Sequence, residues 1–200
     1  NDAPKAKARL ATDAHDALAS CRDAGRFADA LAILDTCAAR GLPLSRDAYG
    51  HALTSAMVLQ RYDRALEVWE QLRREPDIAP TAHEFSVAIS ARGRSGRPAE
   101  ALALHATMLR EGVVPDSNTY HVVIECAARR HDAAGALELL GHLEAMGARL
   151  PPRIYDRVIT ACAGAGAWQR AMGLLGRMRA ASIPRSRRTH AGVAEARATA

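Results

Sequence analysis

Apolar side chains recur along the chain with a period of about 35 residues. An Ala-Leu or Ala-Met pair opens an apolar stripe five times, and successive pairs lie 35, 36, 35 and 35 residues apart. The pairs are Ala30-Leu31, Ala65-Leu66, Ala101-Leu102, Ala136-Leu137 and Ala171-Met172. Self-similarity at a period of about 20 to 50 residues is typical of repeat proteins. The pattern therefore predicts five copies of one structural unit.

Two apolar faces occur within each unit, and in both the apolar positions lie three or four residues apart, the period of an α-helix. The first face carries an aromatic column of Tyr49, Phe85, Tyr120 and Tyr155, with Ala14 as the exception, followed by Leu18, Leu53, Ile89, Ile124 and Ile159. The second face carries Ile33, Val68, Leu104, Leu139 and Leu174. Glycines end the helices at Gly25, Gly41, Gly96, Gly112, Gly147 and Gly166. Each unit is predicted to be a helical hairpin that shares a core with its neighbours.

The predicted repeats cover most of the chain. They are residues 11–45, 46–81, 82–116, 117–151 and 152–186, with 1–10 as an N-terminal flank and 187–200 as the first helix of an incomplete sixth repeat. The alanine of each Ala-Leu or Ala-Met pair lies on the second helix of its repeat. We expect it where two helices approach closely and no larger side chain fits. Terminal repeats normally need polar caps, so we expect both ends to be cut from a longer array.

Two stretches in and next to the fourth repeat resemble the pentatricopeptide repeat. Residues Pro115-Asp116-Ser117-Asn118-Thr119-Tyr120-His121-Val122-Val123-Ile124 are similar to its opening, and Gly135-Ala136-Leu137-Glu138-Leu139-Leu140 through Met146-Gly147 resembles its second helix and closing turn. The related tetratricopeptide repeat has a period of about 34 residues and Trp and Leu-Gly positions that this chain lacks. The resemblance implies an all-α fold, a right-handed superhelical α-solenoid of stacked helix-turn-helix repeats.

Charge is distributed unevenly along the chain. The formal net charge is +5, yet residues 1–100 carry 14 basic and 14 acidic side chains, while residues 146–200 carry ten arginines against two acids. Of the 27 basic residues, 25 are arginines, which favours planar, bidentate contacts to phosphate or carboxylate. The longest charge-free stretch, residues 48–60, is shorter than the roughly 18 apolar residues of a transmembrane helix. We expect attraction of anions in the C-terminal quarter and no membrane insertion.

The resemblance also implies a partner. Pentatricopeptide repeat proteins are mostly organellar binders of single-stranded RNA, active in RNA processing, stability or translation, so the family implies RNA and a mitochondrion or chloroplast. In the family, the residue after the aromatic and the last residue of the unit together choose one base. The implied base-reading pairs are His15 with Ser45, Gly50 with Thr81, Ser86 with Asp116, His121 with Pro151, and Asp156 with Ser186. Ser86 with Asp116 resembles a combination that prefers guanine, whereas Gly50 and Pro151 offer no hydrogen-bonding side chain.

Arginines are the candidates for contact with the RNA backbone. Arg92, Arg94, Arg129 and Arg130 lie at the ends of first helices, where phosphates would pass. Arg153 occupies the column that sandwiches the base in the family, together with Thr12, Asp47, His83 and Asn118, and a further basic run is Arg185, Arg187 and Arg188. The alternative is that arginines near helix C-termini only complement the helix dipole and stay solvated.

Other functions remain open. The chain is alternatively a structural or protein-binding scaffold of a large organellar assembly such as a mitochondrial ribosome, or the substrate-binding arm of a longer enzyme. The sequence His142-Leu143-Glu144 matches a fragment of the zinc deaminase motif, but no Pro-Cys-x-x-Cys follows it. Cys21, Cys37, Cys126 and Cys162 form no Cys-x-x-Cys and are expected to be buried and reduced. We expect no catalytic residue, metal, cofactor or small-molecule substrate.

Overall fold

Ten α-helices account for most of the part of the chain that the structure describes. The computed structural model describes residues 3–147, 150–186, 191 and 194. The helices are α1 (Ala3–Asp23), α2 (Phe27–Ala39), α3 (Arg46–Val58), α4 (Tyr62–Arg74), α5 (Ala82–Arg94), α6 (Pro98–Arg110), α7 (Ser117–Arg129), α8 (Ala133–Ala145), α9 (Pro152–Gly164) and α10 (Trp168–Ala180). These residues contain no strand, and the predicted all-α class is confirmed. None of the described helices is both long enough and apolar enough to span a bilayer.

The chain divides into two compact units, an N-terminal unit of Asn1–Ser95 and a C-terminal unit of Gly96–Ala200. In the N-terminal unit, the first helices α1, α3 and α5 lie side by side in one layer, and the second helices α2 and α4 pack on this layer. In the C-terminal unit, α7 and α9 are neighbours, α8 packs against both, α6 packs on α7, and α10 packs on α9. Within each unit the first helices therefore form a continuous surface.

The predicted core columns are buried, apart from Ile33, which is only partly buried. The alanines that open the second-helix stripe, at positions 30, 65, 101, 136 and 171, all have an exposed fraction of 0%. The aromatic column is buried in all four repeats that carry it, and Ala14 takes the same place in α1. Leu18, Leu53, Ile89, Ile124 and Ile159 are completely buried as well. The periodicity of the sequence thus identified which face of each helix packs inward.

The turns between helices use left-handed backbone. Gly96 has a φ of +81°, and the other five predicted helix-ending glycines also have positive φ. Three repeats place a larger residue at an equivalent position, and Gln60, His131 and Ser182 adopt φ of 57°, 54° and 53°. A side chain in this region is strained, so these three positions are held by the packing of the helices that they join.

The first helix extends beyond the predicted start of the first repeat. It begins at Ala3 and continues without a break to Asp23, so it includes residues 3–10 of the predicted flank. The segment Ala3-Pro4-Lys5-Ala6-Lys7-Ala8 explains this, since proline is accepted in a first helical turn and alanine and lysine are strong helix formers. At the other end, residues 191 and 194 are helical, and the rest of the predicted sixth-repeat helix, including Arg187 and Arg188, lies outside the described residues.

Candidate nucleic-acid interface

A polar groove runs along the first helices of the N-terminal unit. It has a volume of about 510 Å³, and its lining comes from α1, α3 and α5: His15, Arg22, Asp47, Gly50, His51, Thr54, His83 and Glu84. Two residues of implied base-reading pairs, His15 and Gly50, are among them, and so are Asp47 and His83 of the base-sandwiching column. We refer to this surface as the histidine groove.

Hydrogen bonds connect the side chains of the histidine groove across helices. Arg22 Nη1 lies 3.0 Å from His51 Nδ1, and Thr54 Oγ1 lies 3.3 Å from His83 Nε2. The ring centroids of His15 and His51 are 6.0 Å apart. Burial lowers the pKa of His51, and the adjacent Arg22 guanidinium lowers it further. At neutral pH, His51 is therefore a neutral acceptor for the arginine.

A second groove lies between α7 and α9 in the C-terminal unit. Its volume is about 290 Å³, and it is lined by Glu125, Ala128, Arg129, His131, Arg153, Asp156, Arg157 and Thr160. Glu125 Oε1 accepts from Arg129 Nη2 at 2.8 Å and lies 3.0 Å from Arg157 Nη1. We refer to this surface as the arginine groove. Three arginines face two carboxylates there, so its formal charge is positive.

The side chains of the arginine groove are accessible. Arg129 and Arg157 keep 46% and 40% of their side-chain surface exposed although both contact Glu125. Arg153 is exposed on the first turn of α9. Its charge reaches His121 on α7, whose pKa is lowered first by burial and then by Arg153. The groove can therefore present guanidinium groups to an anion without unfolding any packed element.

Direct hydrogen bonds join two of the implied base-reading pairs. Ser45 Oγ lies 3.1 Å from His15 Nδ1, and Ser186 Oγ donates to Asp156 Oδ2 at 2.8 Å. These pairs are 30 residues apart in the sequence, so the stacking of consecutive repeats brings them together. In both of these repeats, the two residues that the family resemblance pairs are thus neighbours in space.

Glu84 lies between the members of a third pair. A Cβ placed on Gly50 would lie 3.2 Å from Glu84 Oε1, while Glu84 Oε2 accepts from the Thr81 backbone N–H at 2.7 Å and from Thr81 Oγ1 at 2.5 Å. Glu84 is 4% exposed and is not among the site residues predicted from the sequence. The acid three residues after Thr81 is a capping-box signal, which could have identified it.

Residues in the last column of the repeat also cap helices. Asp116 Oδ1 accepts from the Thr119 backbone N–H and from Thr119 Oγ1, both at 2.7 Å, and Ser45 Oγ accepts from the Ala48 backbone N–H at 3.2 Å. Pro151 precedes α9 without a side-chain cap. Ser86 is buried in α5, and His121 is half-buried in α7. Asp116 and Ser45 therefore serve the fold as well as the candidate interface.

The predicted phosphate-contacting arginines have different surroundings. Arg92 has a side-chain exposure of 20% and pairs with Glu70 of α4 at 3.2 Å, so it is held within the N-terminal unit. Arg94 and Arg130 are exposed at the ends of α5 and α7, and Arg185 is exposed after α10. Arg129 and Arg153 lie in the arginine groove. Arg157 lies with them, although sequence reasoning missed it because it belongs to neither a helix end nor the two reading columns.

The four cysteines lie in the core, and so does Leu143, the middle residue of the His-x-Glu sequence. Cys21, Cys37, Cys126 and Cys162 are buried and free, as predicted. Burial raises the pKa of Cys126 to about 11, and it also raises the pKa of Cys37 and of Cys162. Leu143, between His142 and Glu144, is completely buried. The Glu144 carboxylate accepts from Tyr155 Oη at 3.1 Å and pairs with Arg177, so its role in this fold is to join α8 to α9 and α10.

Two family models match the chain. One, described as a pentatricopeptide repeat domain, matches residues 32–95, and the other, described as a pentatricopeptide repeat-containing protein, matches residues 119–198. Together they cover more than half of the chain. A curated relative, the chloroplastic pentatricopeptide repeat-containing protein 10 of Zea mays, is 40% identical over 80 residues, which are 40% of this chain and 10% of the relative. The match thus spans about a tenth of that relative's length.

Several solved structures share the fold. The nuclear proteinaceous RNase P 2 of Arabidopsis thaliana matches with a TM-score of 0.77 at 19% identity over 92% of this chain and 41% of that chain. The pentatricopeptide repeat domain of A. thaliana protein-only RNase P 1, in complex with tRNA, has a TM-score of 0.77 at 17% identity over 94% of this chain and 99% of that chain. The pentatricopeptide repeat protein PPR10, in complex with an 18-nt psaJ RNA element, has a TM-score of 0.59 at 23% identity over 98% of this chain and 34% of that chain. The shared fold is an α-solenoid of helical repeats.

Proposed function

The chain belongs to the pentatricopeptide repeat family, and from this premise we propose that it binds single-stranded RNA along the exposed surface of its first helices. The observation that carries the proposal is the arginine groove, where Glu125 holds two guanidinium groups beside Arg153. Arginine forks match the geometry of phosphate oxygens, and a groove of positive charge follows a single-stranded backbone without reading its sequence.

Glu125 also reduces the cost of binding. Because its carboxylate contacts both Arg129 and Arg157, those side chains are oriented before the RNA arrives and lose less conformational freedom when it binds. A guanidinium carries five N–H donors, more than the single contact with Glu125 uses. The arginine groove is thus a preorganised contact for one or two phosphates.

Base reading is proposed at the paired columns. The hydrogen bonds between His15 and Ser45 and between Asp156 and Ser186 support the pairing, because a base edge that reaches one side chain also meets the other. For Asp116 we propose a preference for guanine at its repeat. A carboxylate only accepts hydrogen bonds, and the Watson–Crick edge of guanine offers two donor groups. Asp116→Asn keeps a good N-cap residue, so it changes the recognition chemistry with little effect on the fold.

The phosphate contact is tested by salt-dependent binding. Fluorescence anisotropy with a labelled pool of random single-stranded RNA, measured at several salt concentrations, gives the slope of log affinity against log salt. For each phosphate contact that is removed, the slope should become less steep by about 0.7. We expect Arg129→Gln with Arg157→Gln to remove one or two contacts and to weaken binding about tenfold. Equal slopes for the double variant and the unsubstituted protein would remove the groove from the interface.

Arg177→Gln is the matched control. Arg177 is an equally exposed arginine, with 51% of its side chain accessible, and it also pairs with a glutamate, but it lies on α10 outside the groove. Its substitution removes one positive charge, half of what the double variant loses, together with a comparable ion pair. The control should keep the salt slope of the unsubstituted protein. A slope that becomes less steep by the same amount in both variants would indicate a general charge effect.

A protein-binding scaffold is the second candidate function. Gly50 and Pro151 favour it, because neither offers a side-chain hydrogen bond at its implied reading position. Under this alternative the protein shows no salt-sensitive RNA binding and is recovered in a large particle by size exclusion from organelle extracts. We propose an organelle as the compartment, and the support is the chloroplastic relative at 40% identity over 80 residues.

A further inference from the structure

Gly50 leaves the implied reading position of the second repeat without a side chain. This glycine follows the aromatic residue Tyr49 on α3, and its implied partner, Thr81, ends the repeat. The carboxylate of Glu84 occupies the space beside the glycine, since a Cβ placed on Gly50 would lie 3.2 Å from Glu84 Oε1. Glu84 belongs to α5, in the next repeat, and lines the histidine groove. A carboxylate from a neighbouring helix therefore lies where the family resemblance places a reading side chain.

The two carboxylate oxygens of Glu84 have different surroundings. Oε2 accepts from the backbone N–H and from the hydroxyl of Thr81, at 2.7 and 2.5 Å, and these are the hydrogen bonds that Glu84 makes with the described residues. Oε1 is not one of the buried polar atoms that lack a partner in the described part of the chain, so it keeps contact with solvent. Although Glu84 is only 4% exposed, one of its acceptor oxygens is therefore open to the groove.

A carboxylate and a hydroxyl meet in opposite order at two successive repeat junctions. Thr81 and Glu84 form the first pair, with the carboxylate three residues after the hydroxyl. At the next junction, Asp116 accepts from the backbone N–H and from the hydroxyl of Thr119, both at 2.7 Å. Asp116 is in the column of Thr81, and Thr119 is in the column of Glu84. Glu84 thus supplies to the second repeat the carboxylate that Asp116 supplies to the third.

The packing of the repeat does not require a carboxylate in the column of Glu84. The equivalent residues Ala48, Thr119 and Ile154 are 0%, 0% and 1% exposed. Burial of a carboxylate costs free energy unless hydrogen bonds compensate for it. The capping box with Thr81 uses only Oε2, and a glutamine would form the same box without a charge. The helix cap therefore accounts for one oxygen of Glu84 and leaves Oε1 as an acceptor for a ligand.

We propose that Glu84 is the specificity-determining residue of the second repeat and that its carboxylate selects guanine. The proposal rests on the proposed RNA-binding function and adds the residue that reads one base. The Watson–Crick edge of guanine carries two adjacent donor groups, and Oε1 together with the remaining lone pair of Oε2 can accept from both. Uracil offers one donor between two carbonyl oxygens, which a carboxylate repels. Because the carboxylates of Asp47 and Glu84 outnumber Arg22, the groove favours the donors of a base edge over a phosphate.

Selection from a pool of random single-stranded RNA, with sequencing of the bound fraction, measures the base preference at each position of the selected motif. We expect the unsubstituted protein to select guanine at the position that the second repeat reads. Glu84→Gln keeps the capping box but turns an N–H donor toward Gly50, so this variant should lose the guanine preference at one position only. Replacement of that guanine by uracil should weaken binding to the unsubstituted protein about tenfold, within the range of a good base contact, and should not weaken binding to Glu84→Gln.

Glu100→Gln is the matched control. Glu100 is also the third residue of its helix, but this helix is α6, in the C-terminal unit, and the residue does not line the histidine groove. The control should keep the base preference at every position. Gly50→Ala is a second variant, for use if circular dichroism shows that Glu84→Gln does not fold. Its Cβ would lie 3.2 Å from Oε1, closer than an ordinary contact, so the carboxylate must move and the guanine preference should fall.

The outcomes separate the two proposals. If no RNA from the pool binds, the proposed function itself is overturned. If RNA binds but the selected motif contains no guanine, the function is kept and reading by Glu84 is refuted. The same conclusion follows if Glu84→Gln, or Gly50→Ala in its place, selects guanine as strongly as the unsubstituted protein. An equal loss of guanine preference in Glu84→Gln and Glu100→Gln would also refute it, because Glu100 does not line the groove.

Discussion

Ala136→Leu tests the packing at the alanine column directly. The Ala136 side chain is completely buried, and on the same helix Leu140 and Leu143 are completely buried as well. Leucine would add three carbon atoms to a site with no exposed surface, and overpacking of this kind costs about 1 to 3 kcal/mol. Ala136→Gly should also destabilise the protein, by about 2 kcal/mol, because it removes a buried methyl worth about 0.8 kcal/mol and lowers helix propensity by about 1 kcal/mol. The site is therefore expected to tolerate neither a larger nor a smaller residue.

Thermal melts followed by the helical circular dichroism signal measure the effect. In a protein of this size, each kcal/mol shifts the midpoint by about 2 to 4 °C. Ala134→Leu is the matched control, because Ala134 lies on the same helix but is exposed, and a surface substitution changes stability by no more than about 0.5 kcal/mol. If Ala136→Leu melted at or above the temperature of Ala134→Leu, the close helix approach at this column would be refuted.

Three further predictions concern the turns, the helix caps and a buried histidine. Gln60→Gly should raise the free energy of unfolding by about 0.5 kcal/mol in urea titrations, because glycine relieves the positive φ but costs some backbone entropy. Asp116→Ala should cost about 1 kcal/mol in the same assay through loss of the N-cap, and Asp116→Asn should cost much less. Burial, with a smaller contribution from His142, lowers the pKa of His105, so at mildly acidic pH the unfolded chain binds more protons than the folded chain, and stability should fall from about pH 7 to pH 5. His105→Leu, which copies Leu140 at the equivalent position of the next repeat, should reduce this fall. A pH profile of stability that stays unchanged in this variant would show that His105 does not cause the fall.

The two grooves differ in formal charge. Three arginines and two carboxylates line the arginine groove, and this positive balance favours the proposed contact with the RNA backbone. In the histidine groove, Arg22 is outnumbered by the carboxylates of Asp47 and Glu84. The Arg129→Gln and Arg157→Gln substitutions therefore test the groove in which the charge favours phosphate.

The periodicity of the amino-acid sequence determined the helices and their buried faces. A helix repeats every 3.6 residues, so apolar residues three and four apart define its inner face whatever its neighbours are. The alanine column and the aromatic column followed from this rule and are buried as predicted. Glycines at helix ends also followed from a local rule, because only glycine adopts positive φ without strain. The start of α1 was the exception, since alanine and lysine extended the helix beyond the apolar pattern.

Tertiary structure decided which polar side chains meet. Arg157 and Glu125 lie on different helices, and only the packing of α7 against α9 brings them within 3.0 Å. Stacking likewise assembles three histidines from three different columns into one groove, and it places Arg92 against Glu70 of another helix. Polar side chains several ångströms long can reach more than one column, so their partners depend on helix offsets and rotamers that no repeat pattern specifies. The sequence therefore determined the scaffold and its exposed surface, and the packed structure determined the charges that this surface presents.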